Sequence, residues 1–137
     1  MQNGFDDSSF DVIISNNALH HVVDDRLISR NPVARQGYIR MFAELRRLLV
    51  PGGFLSVYEF SRSSFWRWSP YKWKYKQIDW ELHPTCGEWL LVIREAGFRT
   101  LSCEYAVPYP LRRFEKLLSN SFVQFFLYSG FVITAQA

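Results

Sequence analysis

The chain has 137 residues, a formal charge of +3, and 48% hydrophobic, 18% aromatic and 21% charged residues. That length allows one domain at most, and the balance is globular rather than disordered. A charge of this size does not by itself imply a nucleic-acid partner, and no apolar run approaches the ~18 residues of a membrane span.

The start, MQNGFDDSSFD, is polar and acidic, unlike a signal peptide. Cys86 and Cys103 form no metal or redox spacing, so reduced, buried thiols in a cytoplasmic protein are expected. Phe10 to Ser15 is a β-branched apolar run preceded by Asp6, Asp7, Ser8 and Ser9. Being apolar on both faces, it predicts a central strand covered by helices on both sides. Asn31 can cap a helix whose first position is Pro32. Tyr38, Phe42, Leu45 and Leu49 supply its apolar face, and Pro51-Gly52-Gly53 is expected to stop it. Phe54 to Tyr58 is the next strand, ending on Glu59.

Thr85 and Glu88 have capping-box spacing and predict a helix with Trp89, Leu90, Ile93 and Ala96 on its apolar face, ended by Gly97. Phe98 to Val107 reads as a third strand, Leu111 to Leu118 as a short helix, and Phe131 to Ala135 as a last strand. The whole apolar segment from Phe122 to Ala135 is expected in the core. Helical crossovers between the first three strands imply parallel neighbours in an α/β sheet, and the last two strands suit an antiparallel hairpin.

FDDSSFDVIISNNALHHVVD, the helix ending in ELRRLLVPGGFLSVYE and the helix ending in EAGF together resemble class I S-adenosylmethionine-dependent methyltransferases. The resemblance covers roughly residues 5–135 and corresponds to the C-terminal half of that domain, from its fourth strand to its seventh. It implies an α/β fold: a partial Rossmann-like sheet of parallel strands with a C-terminal antiparallel hairpin. It implies one partial domain over residues 1–137, with residues 62–84 as an aromatic and basic insertion on the acceptor side. It also implies S-adenosylmethionine as cofactor and methyl transfer to a small-molecule or lipid-like acceptor.

Ligands of open α/β sheets bind beyond the carboxyl ends of the strands. By the resemblance, Ser15, Asn16, Asn17 and Leu19 border the cofactor, while His20 and His21 face its methionine end or the acceptor. Either histidine suits a general base, and Glu59 suits an acceptor contact. The asparagines equally suit turn formation and capping, the histidines packing or hydrogen bonding, and Glu59 a solvated strand end. Metal binding is not expected, since adjacent histidines rarely share an ion and His83 has no spaced partner. No G-x-S-x-G elbow supports a hydrolase.

The glycine-rich turn and acidic positions of the family's front half have no counterpart in these residues. The strand at Phe10 to Ser15 is therefore expected to present an uncharged apolar edge. Three explanations stand side by side: a truncated enzyme, a half-domain that pairs with a partner chain or with the N-terminal half, and a non-catalytic remnant. Tight S-adenosylmethionine binding by these residues alone is not expected. Arg62 to Lys76 holds five basic residues and no acidic one, with aromatic and lysine alternating from Tyr71. It suits an aromatic lid over the acceptor, an anionic membrane surface, or core packing with solvated lysines. Single-stranded nucleic acid is the least expected partner.

Overall fold

The computed structural model describes residues 4–23, 31–70, 78–127 and 129–137. Four strands, β1 (Phe10–Asn16), β2 (Leu49–Phe60), β3 (Arg99–Tyr105) and β4 (Gly130–Gln136), form one sheet in the order β1–β2–β4–β3. The helices are α1 (Pro32–Leu48), α2 (Phe65–Trp68), α3 (Cys86–Glu95), α4 (Glu115–Leu118) and α5 (Ser121–Leu127). Short 3₁₀ turns occupy Leu19–His21, Trp80–Leu82 and Tyr109–Phe114.

β1 and β2 are parallel, and β4 runs antiparallel to both of its neighbours. The expected hairpin of the last two strands is present. β3 is not a neighbour of β2, however, because β4 inserts between them. The reason lies in the faces that meet. Leu55 and Val57 of β2 lie opposite Ala135 and Ile133 of β4, and all four are fully buried. The most apolar strand takes the central place, and β3, with its partly exposed side chains, takes the edge.

The helix ends follow the sequence closely. The Asn31 side chain accepts from the N–H groups of Val33 and Ala34, with Pro32 at the first helical position. Thr85 and Glu88 form the full capping box of α3, and Gly97, at φ +92°, turns the chain out of it. α1 and α3 meet over the sheet through Trp89, whose ring lies edge-on to Tyr38 at 5.0 Å and to Phe42 at 5.5 Å. Leu55, Val57, Val92, Ile93, Phe98 and Ile133 complete this core.

Three expectations change. Pro51-Gly52-Gly53 does not stop α1, which already ends at Leu48. It forms an irregularity inside β2, where pairing steps from Phe10–Leu49 to Val12–Phe54. Gly52 holds φ +80°, and a Cβ on Gly53 would meet the carbonyl oxygens of Val50 at 2.9 Å and Asp11 at 3.0 Å. The glycines let β1 approach β2 at the bulge.

Secondly, β1 is not covered on both sides among the described residues. Ile13 and Ser15 point inward, but Val12 and Ile14 are exposed, Ile14 to 74%. As expected, β1 is an edge strand of the sheet formed by the described residues, and it carries apolar side chains. Thirdly, the segment from Phe122 is not all core. β4 is buried, but Phe122 is 73% exposed, because α5 turns Gln124 inward to donate to the Leu118 carbonyl.

Trp89→Ala should lower stability by about 3–5 kcal/mol, as for other buried aromatics. Gly53→Ala should cost about 1–3 kcal/mol by overpacking. Urea unfolding of both variants checks the pair, and a neutral Gly53→Ala would show that the β1–β2 approach is looser than described.

Candidate active site

β1 and β2 end side by side. The Asn17 N–H donates to the Tyr58 carbonyl at 2.8 Å, one step past the end of β1, and φ +49° at Asn17 then turns the chain away. The turn Leu19–His21 follows, and it lies over the end of β2. Glu59 is on the inward face of β2, in phase with Leu55 and Val57, and is fully buried. It is not a solvated strand end.

A buried carboxylate requires partners. Glu59 Oε1 accepts from the Leu19 N–H at 2.9 Å, and Oε2 lies 2.7 Å from His20 Nδ1. His20 is itself 2% exposed. The Tyr38 hydroxyl donates to the His20 carbonyl at 3.4 Å, and burial together with the Glu59 charge pushes that hydroxyl up to about 12. The sequence pairs His20 with its neighbour His21. The structure keeps the two rings 3.9 Å apart and adds Glu59, 39 residues away.

A third imidazole joins them. The His83 ring centre lies 4.2 Å from that of His20, at 37° to it. His83 is buried, and its Nδ1 has no hydrogen-bond partner among the described residues. Burial lowers His83 to about 4, so its ring is neutral at pH 7. Its backbone is pinned by Arg62, whose N–H and guanidinium both donate to the His83 carbonyl. Arg62 also pairs with Glu88 of the capping box. Nothing local in the sequence ties His83 to this site. The only sequence signal is that it sits two residues before the capping threonine of α3, where the chain enters the core.

His20, Glu59 and His83 each offer a ligand atom, all within 4.8 Å of one another. A cation could draw on that set. His20 Nδ1 and Glu59 Oε2 are already joined at hydrogen-bond distance, however, so the arrangement is an imidazole–carboxylate pair with a neutral imidazole stacked on it.

The group opens on a cavity of about 420 Å³. Asn17, His20 and His21 line it from the first turn, Phe60, Ser64 and Trp66 from the end of β2 and α2, and Leu127 from α5. Ile78, Asp79, Trp80, Leu82 and His83 form the remaining wall. The Trp66 indole N–H donates to the Leu127 carbonyl at 3.0 Å, which fixes α2 against α5. Part of the stretch from Arg62 thus does border the cavity. Its alternation of rings and lysines at 71–76 lies outside the described residues.

The other residues singled out in the sequence divide. Ser15 is buried, with a hydroxyl that finds no partner. Asn16, Asn17 and His21 are exposed at the end of β1. Leu19 belongs to the core cluster, its N–H engaged by Glu59.

Residues 1–57 match the family model of a methyltransferase domain. No curated protein sequence matches the chain. Among solved structures it is similar to the CurJ carbon methyltransferase, at 24% identity and a TM-score of 0.54, over 98% of this chain and 31% of that one. An S-adenosylmethionine-dependent methyltransferase from Mesorhizobium loti aligns over 97% of this chain and 64% of its own, at 17% identity and a TM-score of 0.61. A methyltransferase from Thermotoga maritima, described as a possible histamine N-methyltransferase, aligns over 97% and 58%, at 20% identity and a TM-score of 0.60. The chain thus spans from about a third to under two thirds of the length of these structures.

His83 gives the site a pH signature. Unfolded, its ring takes up a proton near the ordinary 6.5; folded, it resists until about 4. Between those values the unfolded chain binds more protons, so stability should rise with pH across this window and be lost as pH falls through it. Urea midpoints from pH 4 to 7 measure the slope, and His83→Phe should flatten it. An unchanged slope in that variant would place the titration elsewhere.

Proposed function

We propose that this chain, which has the fold of the later half of class I S-adenosylmethionine-dependent methyltransferases, supplies the acceptor side of a methyl-transfer site, with His20 as the base. One observation carries the reading. A buried imidazole–carboxylate pair, 2.7 Å apart, opens on an aromatic-lined cavity at the carboxyl ends of two parallel strands.

The pair has a direction. If Nδ1–H of His20 donates to Glu59, Nε2 is left with its lone pair. Glu59 then fixes the tautomer and the ring plane, much as a carboxylate orients a histidine in other acid–base sites. The acceptor's proton passes to Nε2 as its carbon or oxygen takes the methyl group. A carbon acceptor needs such a base most, since its proton is the most reluctant to leave. The similar CurJ protein is a carbon methyltransferase.

S-adenosylmethionine supplies an activated methyl group on sulfur. Ser15, Asn16 and Asn17 would border it at the carboxyl end of β1. Leu19 supports that edge from the core and holds Glu59 in place. The cavity falls within the ordinary size of a small-molecule site. Phe60, Trp66, Trp80 and Leu82 suit a small-molecule or lipid-like acceptor with an apolar body. The described part of residues 62–84 would serve as its acceptor-side wall within a single partial domain.

A second reading is a half-domain completed by a partner chain. Among the described residues β1 has a strand on one side only, which favours further strands at that edge, and Val12 and Ile14, exposed on the sheet face opposite the core, favour a layer that covers them. One similar structure was solved as a complex of the Trm112 methyltransferase activator from Haloferax volcanii, at 17% identity and a TM-score of 0.52.

In protein where that edge is completed by a strand and glycine-rich turn, His20→Ala should lower methyl transfer by about 10²–10⁴-fold. Glu59→Gln should follow it, and S-adenosylmethionine affinity should hold in both. Full turnover in His20→Ala would remove the base from the account. Calorimetry on the 137-residue chain alone should show no micromolar S-adenosylmethionine binding, because the edge beyond β1 supplies the rest of that contact.

A further inference from the structure

Helix α5 is built the wrong way round for a helix facing water. Gln124 is fully buried, while Phe122 and Phe126 are on the outside. An ordinary surface helix does the reverse. The burial of Gln124 is specific: its side chain donates to the Leu118 carbonyl, and its own carbonyl accepts from the Ser129 hydroxyl. Phe122 packs edge-on to Phe126 at 5.5 Å, and Phe126 lies 5.5 Å from Phe65 of α2, so the rings continue from one helix to the next.

Exposed apolar side chains extend beyond α5. Trp68 ends α2 at 71% exposure, Leu117 lies on α4, and Tyr109 and Phe114 lie on the preceding 3₁₀ turn. Cations are interleaved with them. The Arg112 guanidinium lies 5.9 Å from the Tyr109 ring centre, and that of Arg113 lies 4.8 Å from Phe114. Lys116 is exposed beside them. Between residues 106 and 127 the sequence has three basic residues and one acidic residue, Glu115.

We propose that this surface, formed by Trp68, the turn at Tyr109–Phe114, α4 and α5, docks on an anionic lipid bilayer. Aromatic rings with adjacent arginine and lysine match the interfacial zone, where the rings enter the acyl boundary and the cations meet lipid phosphates. The charge selects the partner. A second copy of this chain meeting the surface across a two-fold axis would set the arginines against each other. An anionic bilayer complements them. The proposal is independent of the chemistry assigned to His20. It does place the bilayer outside the α2–α5 wall whose inner residues, Trp66 and Leu127, line the cavity.

Cosedimentation of the 137-residue chain with vesicles tests it. The chain should pellet with phosphatidylcholine vesicles containing phosphatidylserine, and not with phosphatidylcholine alone. Added salt should release it. Neutralising Arg112 and Arg113 with R112Q and R113Q should weaken the partition by about fivefold per residue, and L117S with F122S should abolish it. All four side chains are exposed, so thermal melts of the variants should match the parent. Undiminished binding by the combined variant would overturn the proposal and assign the affinity to another surface, such as Ile14 on β1. Binding with no preference for phosphatidylserine, retention by a single-stranded oligonucleotide without vesicle binding, or a dimer that buries Phe122 would each overturn it as well.

Discussion

A fully buried carboxylate sets the terms for the rest of this structure. Glu59 projects from the inward face of β2, where its neighbours along that face are Leu55 and Val57. In that position it demands two hydrogen bonds or a counter-charge. The chain meets the demand with the Leu19 N–H and the His20 ring, both in the turn after β1. The turn reaches Glu59 only because β1 and β2 are parallel and end together. That alignment depends on the bulge at Pro51–Gly53, where glycine lets the two backbones close to contact distance. A motif that reads as a helix stop instead lies inside β2, at the register shift that precedes the meeting of a histidine and a glutamate.

Much of the fold was legible because its signals are local. Asn31-Pro32 and Thr85–Glu88 specify helix starts through bonds that span three residues or fewer. Gly97 needs only its own φ to end α3. The strand positions follow from apolar runs bounded by polar or glycine residues. Strand order was not legible in the same way. Nothing near Gly130 states that β4 lies between β2 and β3; that depends on which buried faces match across the sheet. The exposure of Phe122 was hidden for a similar reason. A run of apolar residues reads as core unless one knows that Gln124 finds buried partners and takes the inward position.

The site shows the same division. His20, His21 and Glu59 could be singled out from the sequence because each follows an apolar run that predicts a strand. His20 and Glu59 come together in the fold, whereas His21 stays exposed. His83 follows no strand and belongs to no motif, and its place against His20 is a product of the chain's return through Arg62 and the α3 cap. The walls of the cavity are short elements, α2 and α5, held by one indole hydrogen bond and a cluster of phenylalanines. Their inner side borders the pocket, and Trp68, Phe122 and Phe126 are exposed on their outer side.

The central claim is that His20 faces Glu59 with a protonated Nδ1 and keeps Nε2 free for an acceptor. Long-range proton–nitrogen correlation NMR on ¹⁵N-histidine-labelled protein at neutral pH reads this directly. The account predicts that His20 is a single Nδ1–H tautomer, with the nitrogen shift of Nε2 in the unprotonated range and that of Nδ1 in the protonated range. An Nε2–H tautomer at His20, or a ring averaging between the two, would contradict it.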